Sequence, residues 1–271
     1  MSVKQEPNGR RSIQVELEVA GTPEEVWRAI ATGPGISSWF VPAEIEERDG
    51  KPVSMKLRFG PGMEARSSFT AWDPPRMFVA QGESWGGAPA MATEWHVEAR
   101  AGGVCRVRIV QSLFASTDEW DSQLEGASGA FAGFWRTLEL YLKHFRGLRS
   151  ANMHLVVPAV STEAEAWEKL TSALGVKGLS TGQRFTASGG VPALSGVAEY
   201  YTELPYDALL RLDKPAPAVA ALGVFTFPGG DQTMVVMGIY FYGDQAAETV
   251  ARVTPVWKAW LQELFPAPAT K

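Results

Sequence analysis

Cysteine, histidine and excess positive charge are all scarce in this sequence. A single cysteine, Cys105, in 271 residues excludes an intrachain disulfide and a zinc site built on several thiolates. The three histidines, His96, His144 and His154, have no second histidine or cysteine at i+2 or i+4, so no metal is expected. The net charge is -5, with -2 on residues 1–150 and -3 on residues 151–271. Neither half could gather a phosphate backbone, so nucleic acid is not an expected partner. The longest apolar run, residues 216–227, is short and contains Pro217, so no membrane insertion is expected. The first twelve residues are polar and lack the apolar core of a signal peptide. A cytoplasmic protein is the expectation. Hydrolase-elbow, phosphate-loop and dinucleotide motifs are absent. Gly60-Pro61-Gly62 leads into Met63-Glu64, a hairpin turn rather than a phosphate cradle. No cofactor is called for.

What the sequence does have is aromatic mass. Seven of its ten tryptophans fall in the first 150 residues. Large rings build cores and line apolar ligand sites alike. The chain also reads as two copies of one plan. Residues 12–20 alternate, with Ile13, Val15, Leu17 and Val19 on one face, as in a half-buried strand. Thr22, Pro23 and Glu25 then open a capped helix, and Gly33-Pro34-Gly35 ends it. Near residue 150 the plan restarts. A short strand, residues 153–158, precedes a second capped helix from Thr162, with Trp167 standing where Trp27 stood. Consecutive strands follow in each half, separated by Gly, Pro and Asp turns. Each half closes on a long amphipathic helix, about 118–145 and 245–265, the second interrupted by Pro255. The fold class is α+β: tandem domains, 1–149 and 150–271, each an antiparallel sheet wrapped on its C-terminal helix.

This order resembles the helix-grip fold of the START/Bet v 1-like superfamily. The first half is similar to the family named for the C-terminal domain of the activator of Hsp90 ATPase. The residues that carry the likeness are Thr22-Pro23-Glu24-Glu25-Val26-Trp27, Trp39-Phe40-Val41-Pro42 and the Gly60-Pro61-Gly62 turn. Trp72-Asp73-Pro74-Pro75-Arg76 and Gly133-Phe134-Trp135 with Leu138 complete it. The second half keeps only the two helices of this pattern and looks like a shorter, diverged copy. The resemblance implies a cavity between sheet and long helix. It does not fix an activity, because members include ligand carriers, cyclases and co-chaperone modules.

Strand alternation assigns the inward face of the first half. Leu57, Phe59, Met63, Phe69, Trp95 and Ile109 point inward, joined by Trp39, Phe131 and Trp135. Ser67, Thr93 and Gln111 are the polar members. Glu64 and Arg66 read as outward, but a bulge near Gly62 would turn them inward as polar contacts. Cys105 reads as a small buried hydrophobe and His96 as part of a solvated face. No catalytic residue is assigned. The leading expectation is a domain that binds a small apolar or aromatic molecule. The alternatives are a cyclase or hydrolase of the same superfamily, and a protein-interaction module using an exposed apolar patch such as Trp85. A homodimer or other protein partner is compatible with the sequence.

Overall fold

The computed structural model describes residues 3–5, 7, 9–60, 62–83, 90–114, 121, 124, 132–187, 192–226 and 230–266. The chain divides into two compact units, Met1–Gly147 and Leu148–Lys271. Gly147, at φ +77°, supplies the left-handed turn that leads out of the first unit.

The first unit contains β1 (Lys4–Gln5), β2 (Arg10–Ala20), α1 (Pro23–Ile30) and α2 (Gly33–Ile36). The meander β3 (Ala43–Arg48), β4 (Lys51–Gly60), β5 (Met63–Asp73), β6 (Met77–Gly82), β7 (Ala92–Arg100) and β8 (Val104–Phe114) follows, and α3 (Ala132–His144) closes the unit. The sheet is antiparallel, in the order β1-β2-β8-β7-β6-β5-β4-β3. The Thr22 side chain accepts from the Glu25 N–H, and the Glu25 carboxylate accepts from the Thr22 N–H. These bonds satisfy two otherwise orphaned donors at the start of α1. Gly33-Pro34-Gly35 does not simply end α1; it forms α2, because Thr32 accepts from the Gly35 N–H and starts a new turn. Glycine is required at 35: a Cβ there would lie 1.9 Å from the Arg28 carbonyl oxygen.

The second unit repeats this plan with β9 (Ser150–Ala159), α4 (Glu163–Leu174), β10 (Arg184–Ala187), β11 (Leu194–Glu203), β12 (Tyr206–Lys214), β13 (Ala218–Thr226), β14 (Thr233–Tyr242) and α5 (Ala246–Leu264). Its order is β10-β11-β12-β13-β14-β9. In both units the strand before the first helix, β2 or β9, returns to pair with the last strand of the meander. Among the described residues, the second unit has one meander strand fewer and no counterpart of α2. These are tandem helix-grip domains. The second has a closed core: Trp167 from α4 and Trp257 from α5 are buried among Leu210, Leu222, Met237 and Ile239. The helix α5 runs unbroken through Pro255.

Candidate functional site

The strand register of the first unit lays its concave face out in rows. One row runs Val15, Ile109, Trp95, Phe78, Trp72 across β2, β8, β7, β6 and β5. The helices add rings to it. Trp27 of α1 stands edge-on to Trp72 and Phe78, at 5.2 and 5.6 Å between ring centres. Trp39, just after α2, lies 6.2 Å from both Trp95 and Trp135, and its Nε1 donates to the Ala29 carbonyl at 3.0 Å. Phe40 meets Phe134 at 4.4 Å and Phe59 at 5.6 Å. Edge-to-face contacts of this kind fill space and fix ring positions. This end of the face is packed.

The adjacent row has a different character. It runs Ile13, Gln111, Thr93, Ala80, Phe69. The row beyond it carries Arg11, Leu113, Gly82, Ser67 and Met55. Gln111, Thr93, Ala80, Gly82 and Ser67 here mix small and polar groups with Phe69, Met55 and the buried cluster of Ile13, Leu113 and Leu124. Gln111 is 3% exposed, and its side-chain carbonyl oxygen has no hydrogen-bond partner among the described residues. An orphaned buried acceptor is costly and needs an explanation. Leu57, Phe59 and Phe69 are only half-buried, as are Val53 and Met55. In the second unit the inward residues of the central strands, such as Leu210, Leu222, Met237 and Ile239, are buried, while Leu155, Val157, Tyr201 and Tyr206 are partly covered.

Each expected site residue has a definite place in this arrangement. Trp39, Trp95, Ile109 and Trp135 are buried in or beside the packed row. Leu57, Phe59 and Phe69 line its less covered margin. Met63 begins β5 opposite Gly60. Phe131 and the loop residue Trp85 lie outside the described residues. Glu64 and Arg66 do not turn inward. The bulge on this hairpin falls on β4 at Phe59, and β5 keeps its phase. Both residues are exposed, and Glu64 pairs with Lys56 at 2.8 Å and Arg58 at 3.4 Å. These cations hold its carboxyl below the usual range, chiefly through the Lys56 hydrogen bond. A second bulge, at Thr70, does change phase. It brings Trp72 onto the face of Phe69, with ring centres 4.6 Å apart, and displaces Ala71 from it.

Sequence reading missed a charged pair. Arg11 shares the inward face with Ile13 and is 5% exposed. Its Nε and Nη2 donate to the two carboxylate oxygens of Asp121. The Arg11 bond holds the Asp121 carboxyl below its ordinary range. Extending the β2 alternation one step back would have placed Arg11, but nothing local places Asp121 opposite it. Leu124 packs beside the pair against Ile13 and Leu113.

Other reactive groups are accounted for locally. Cys105 is fully buried and its Sγ donates to the Gly21 carbonyl; burial first, then Glu24 and Glu25, pushes its thiol up, which disfavours a nucleophilic thiolate. His96 sits on the outer face, 3.5 Å from Glu94. Burial pushes the Glu139 carboxyl on α3 up, against the opposing effect of Arg136. No cluster of three or more metal-ligating side chains occurs among the described residues. Among them, too, no helix is long and apolar enough to cross a membrane.

Residues 10–142 match the family described as "Polyketide cyclase / dehydrase and lipid transport". No curated protein matches the chain. Among solved structures, the chain is similar to the di-domain ARO/CYC BexL from the BE-7585A biosynthetic pathway. The identity is 14% over 95% of this chain and 99% of that one, with a TM-score of 0.46. CalU16 from Micromonospora echinospora is 17% identical over 53% of this chain and 83% of its own, with a TM-score of 0.42. The Aha1 dimer from Colwellia psychrerythraea is 18% identical over 49% of this chain and 96% of its own, at 0.38.

Proposed function

With residues 10–142 forming a domain of the START/Bet v 1-like superfamily, we propose that its concave face binds one small, largely apolar or aromatic molecule. The observation that carries this reading is the contrast within the face. Gln111 presents a buried, unpartnered acceptor beside small side chains, while the apolar residues Met55, Leu57, Phe59 and Phe69 stay half-covered. Apolar pockets with a few placed polar groups are the usual form of small-molecule sites. The family description, with its lipid transport and polyketide chemistry, supports the same reading. The packed row would form the floor and hold the site rigid; Leu57, Phe59 and Phe69 would supply the apolar wall.

Binding rather than turnover is the better-supported role. General acid–base catalysis needs a titratable group within reach of the substrate. Asp121 is engaged by Arg11, and the Cys105 thiol is pushed up by burial. Thermal shift and tryptophan fluorescence with aromatic polyketides, fatty alcohols, fatty acids and sterols test this proposal. A ligand at a hundredfold excess over Kd stabilises the folded state by about 2.7 kcal/mol. A saturable shift, weakened by Phe69→Ala, supports the site. Product formation from a bound polyketide would instead favour a cyclase.

A further inference from the structure

The outer face of the first domain carries a cation that the concave-face reading leaves unused. The register lines up Glu16, Arg108, His96 and Met77 across β2, β8, β7 and β6. Glu16 stands opposite Arg108, so the ladder itself offers an ion pair. That pair does not form. Glu16 turns instead to Arg106, whose Nε donates to it at 2.9 Å, and accepts from the Gln14 side-chain amide at 2.8 Å. The other carboxylates nearby are engaged as well. Glu98 accepts from Arg100 at 3.1 Å and lies 3.8 Å from Arg106. Glu94 takes Arg10 and lies 3.5 Å from His96. Asp73 accepts from Arg76 at 2.9 and 3.0 Å. Arg108 is left half-buried, with no hydrogen bond or ion pair among the described residues.

A depression of about 470 Å³ opens over this row, with Glu16, Arg76, Met77, His96, Arg106 and Arg108 in its wall. That volume suits a small molecule. A partly buried charge is screened less than an exposed one, so Arg108 gains from a counter-charge. Its planar fork pairs with two oxygens of a carboxylate or of a phosphate. The neighbouring charges choose between them. One unmatched guanidinium balances one negative charge. A phosphate monoester carries roughly two, and Glu16 and Glu98 would repel the second. Met77 is half-buried beside His96 in the same row and offers its thioether to a flat ring. We propose that this depression is a second binding site, for a small aromatic monocarboxylate whose carboxylate takes the Arg108 fork while its ring lies along Met77. The site shares no residue with the concave face, so it stands or falls independently of the reading above.

Benzoate, benzamide and phenyl phosphate, titrated into the full chain, test it. The chain has three histidines, so the ring C–H signals of His96, assigned with His96→Gln, report on this depression by NMR. Benzoate should shift them saturably. Benzamide, which has the shape without the charge, and phenyl phosphate should each bind at least tenfold more weakly. Arg108→Met should weaken benzoate at least tenfold. Arg108→Lys should weaken it several-fold, because the charge survives and the fork does not. Phe69→Ala should leave it unchanged. Glu16→Gln frees Arg106 and removes a carboxylate, so it should narrow the gap between phenyl phosphate and benzoate; this variant keeps the proposal testable should Arg108→Met fail to fold. No shift of His96 at tens of millimolar benzoate would overturn the proposal. So would a folded Arg108→Met protein with undiminished affinity. Phenyl phosphate binding as tightly as benzoate to the wild-type protein would overturn the carboxylate assignment.

Discussion

Gln111 is the residue on which stability and binding pull in opposite directions. Its buried carbonyl oxygen lacks a partner, so Gln111→Leu should raise the stability of the unliganded protein by about 1 kcal/mol, because an unsatisfied buried acceptor is removed. The same change should weaken binding of the proposed ligand several-fold. Denaturation and titration of the one variant read both effects, and a stability loss without a binding loss would remove the functional explanation for Gln111. His154 carries a prediction about pH. Its Nδ1 and the Tyr240 hydroxyl lie 3.4 and 3.6 Å from the point a Cβ on Gly238 would occupy, and neither has a hydrogen-bond partner among the described residues. Burial lowers the His154 pKa from 6.5, so the unfolded chain takes up this proton more readily than the folded one. The stability from neutral His154 is complete above about pH 6.5 and is lost as pH falls from there toward the folded pKa. His154→Gln should flatten the melting temperature between pH 7 and pH 5; an unchanged slope would show that His154 does not set it.

At the scale of elements, periodicity and caps revealed much of the fold, while phase and edges stayed hidden. The strand β2, the capping boxes of α1 and α4 and both closing helices follow from alternation, from Thr-x-x-Glu and from apolar spacing. The strand β3 does not announce itself. It is an edge strand, AEIEER, whose polar side chains suit an unprotected border. The Thr70 bulge was equally silent, and it alone puts Trp72 inside. Two substitutions probe the elements directly. Gly35→Ala should destabilise the first domain severely, since the new methyl would collide with the Arg28 carbonyl in backbone that cannot yield. Pro255 is exposed within α5, and its missing N–H leaves the carbonyl of Ala251 without a helical donor. Pro255→Ala should therefore stabilise the second domain by up to about 3 kcal/mol. A melting curve that does not rise would mean that the helix is already adapted to the proline.

At the scale of the whole molecule, one topology is used twice with different interiors. The second domain closes its core around Trp167 and Trp257. The first fills one end with rings and at the other mixes small and polar side chains with the apolar cluster of Ile13, Leu113 and Leu124. The duplication was legible because caps and strand order are local signals. How the two interiors differ was only partly legible. Trp39 and Trp95, expected from sequence as ligand contacts, are buried with their rings 6.2 Å apart. The charged pair of the concave face, Arg11 with Asp121, meets across 110 residues. The account therefore predicts one concave-face site per chain, in the first domain. The most direct test is the stoichiometry of 2-naphthol binding by calorimetry, with Phe69→Ala and Trp257→Phe as paired variants. One molecule per chain, with affinity reduced by the change at Phe69 and untouched by that at Trp257, is the expected result. Two molecules per chain, or an affinity that follows Trp257 instead, would contradict it.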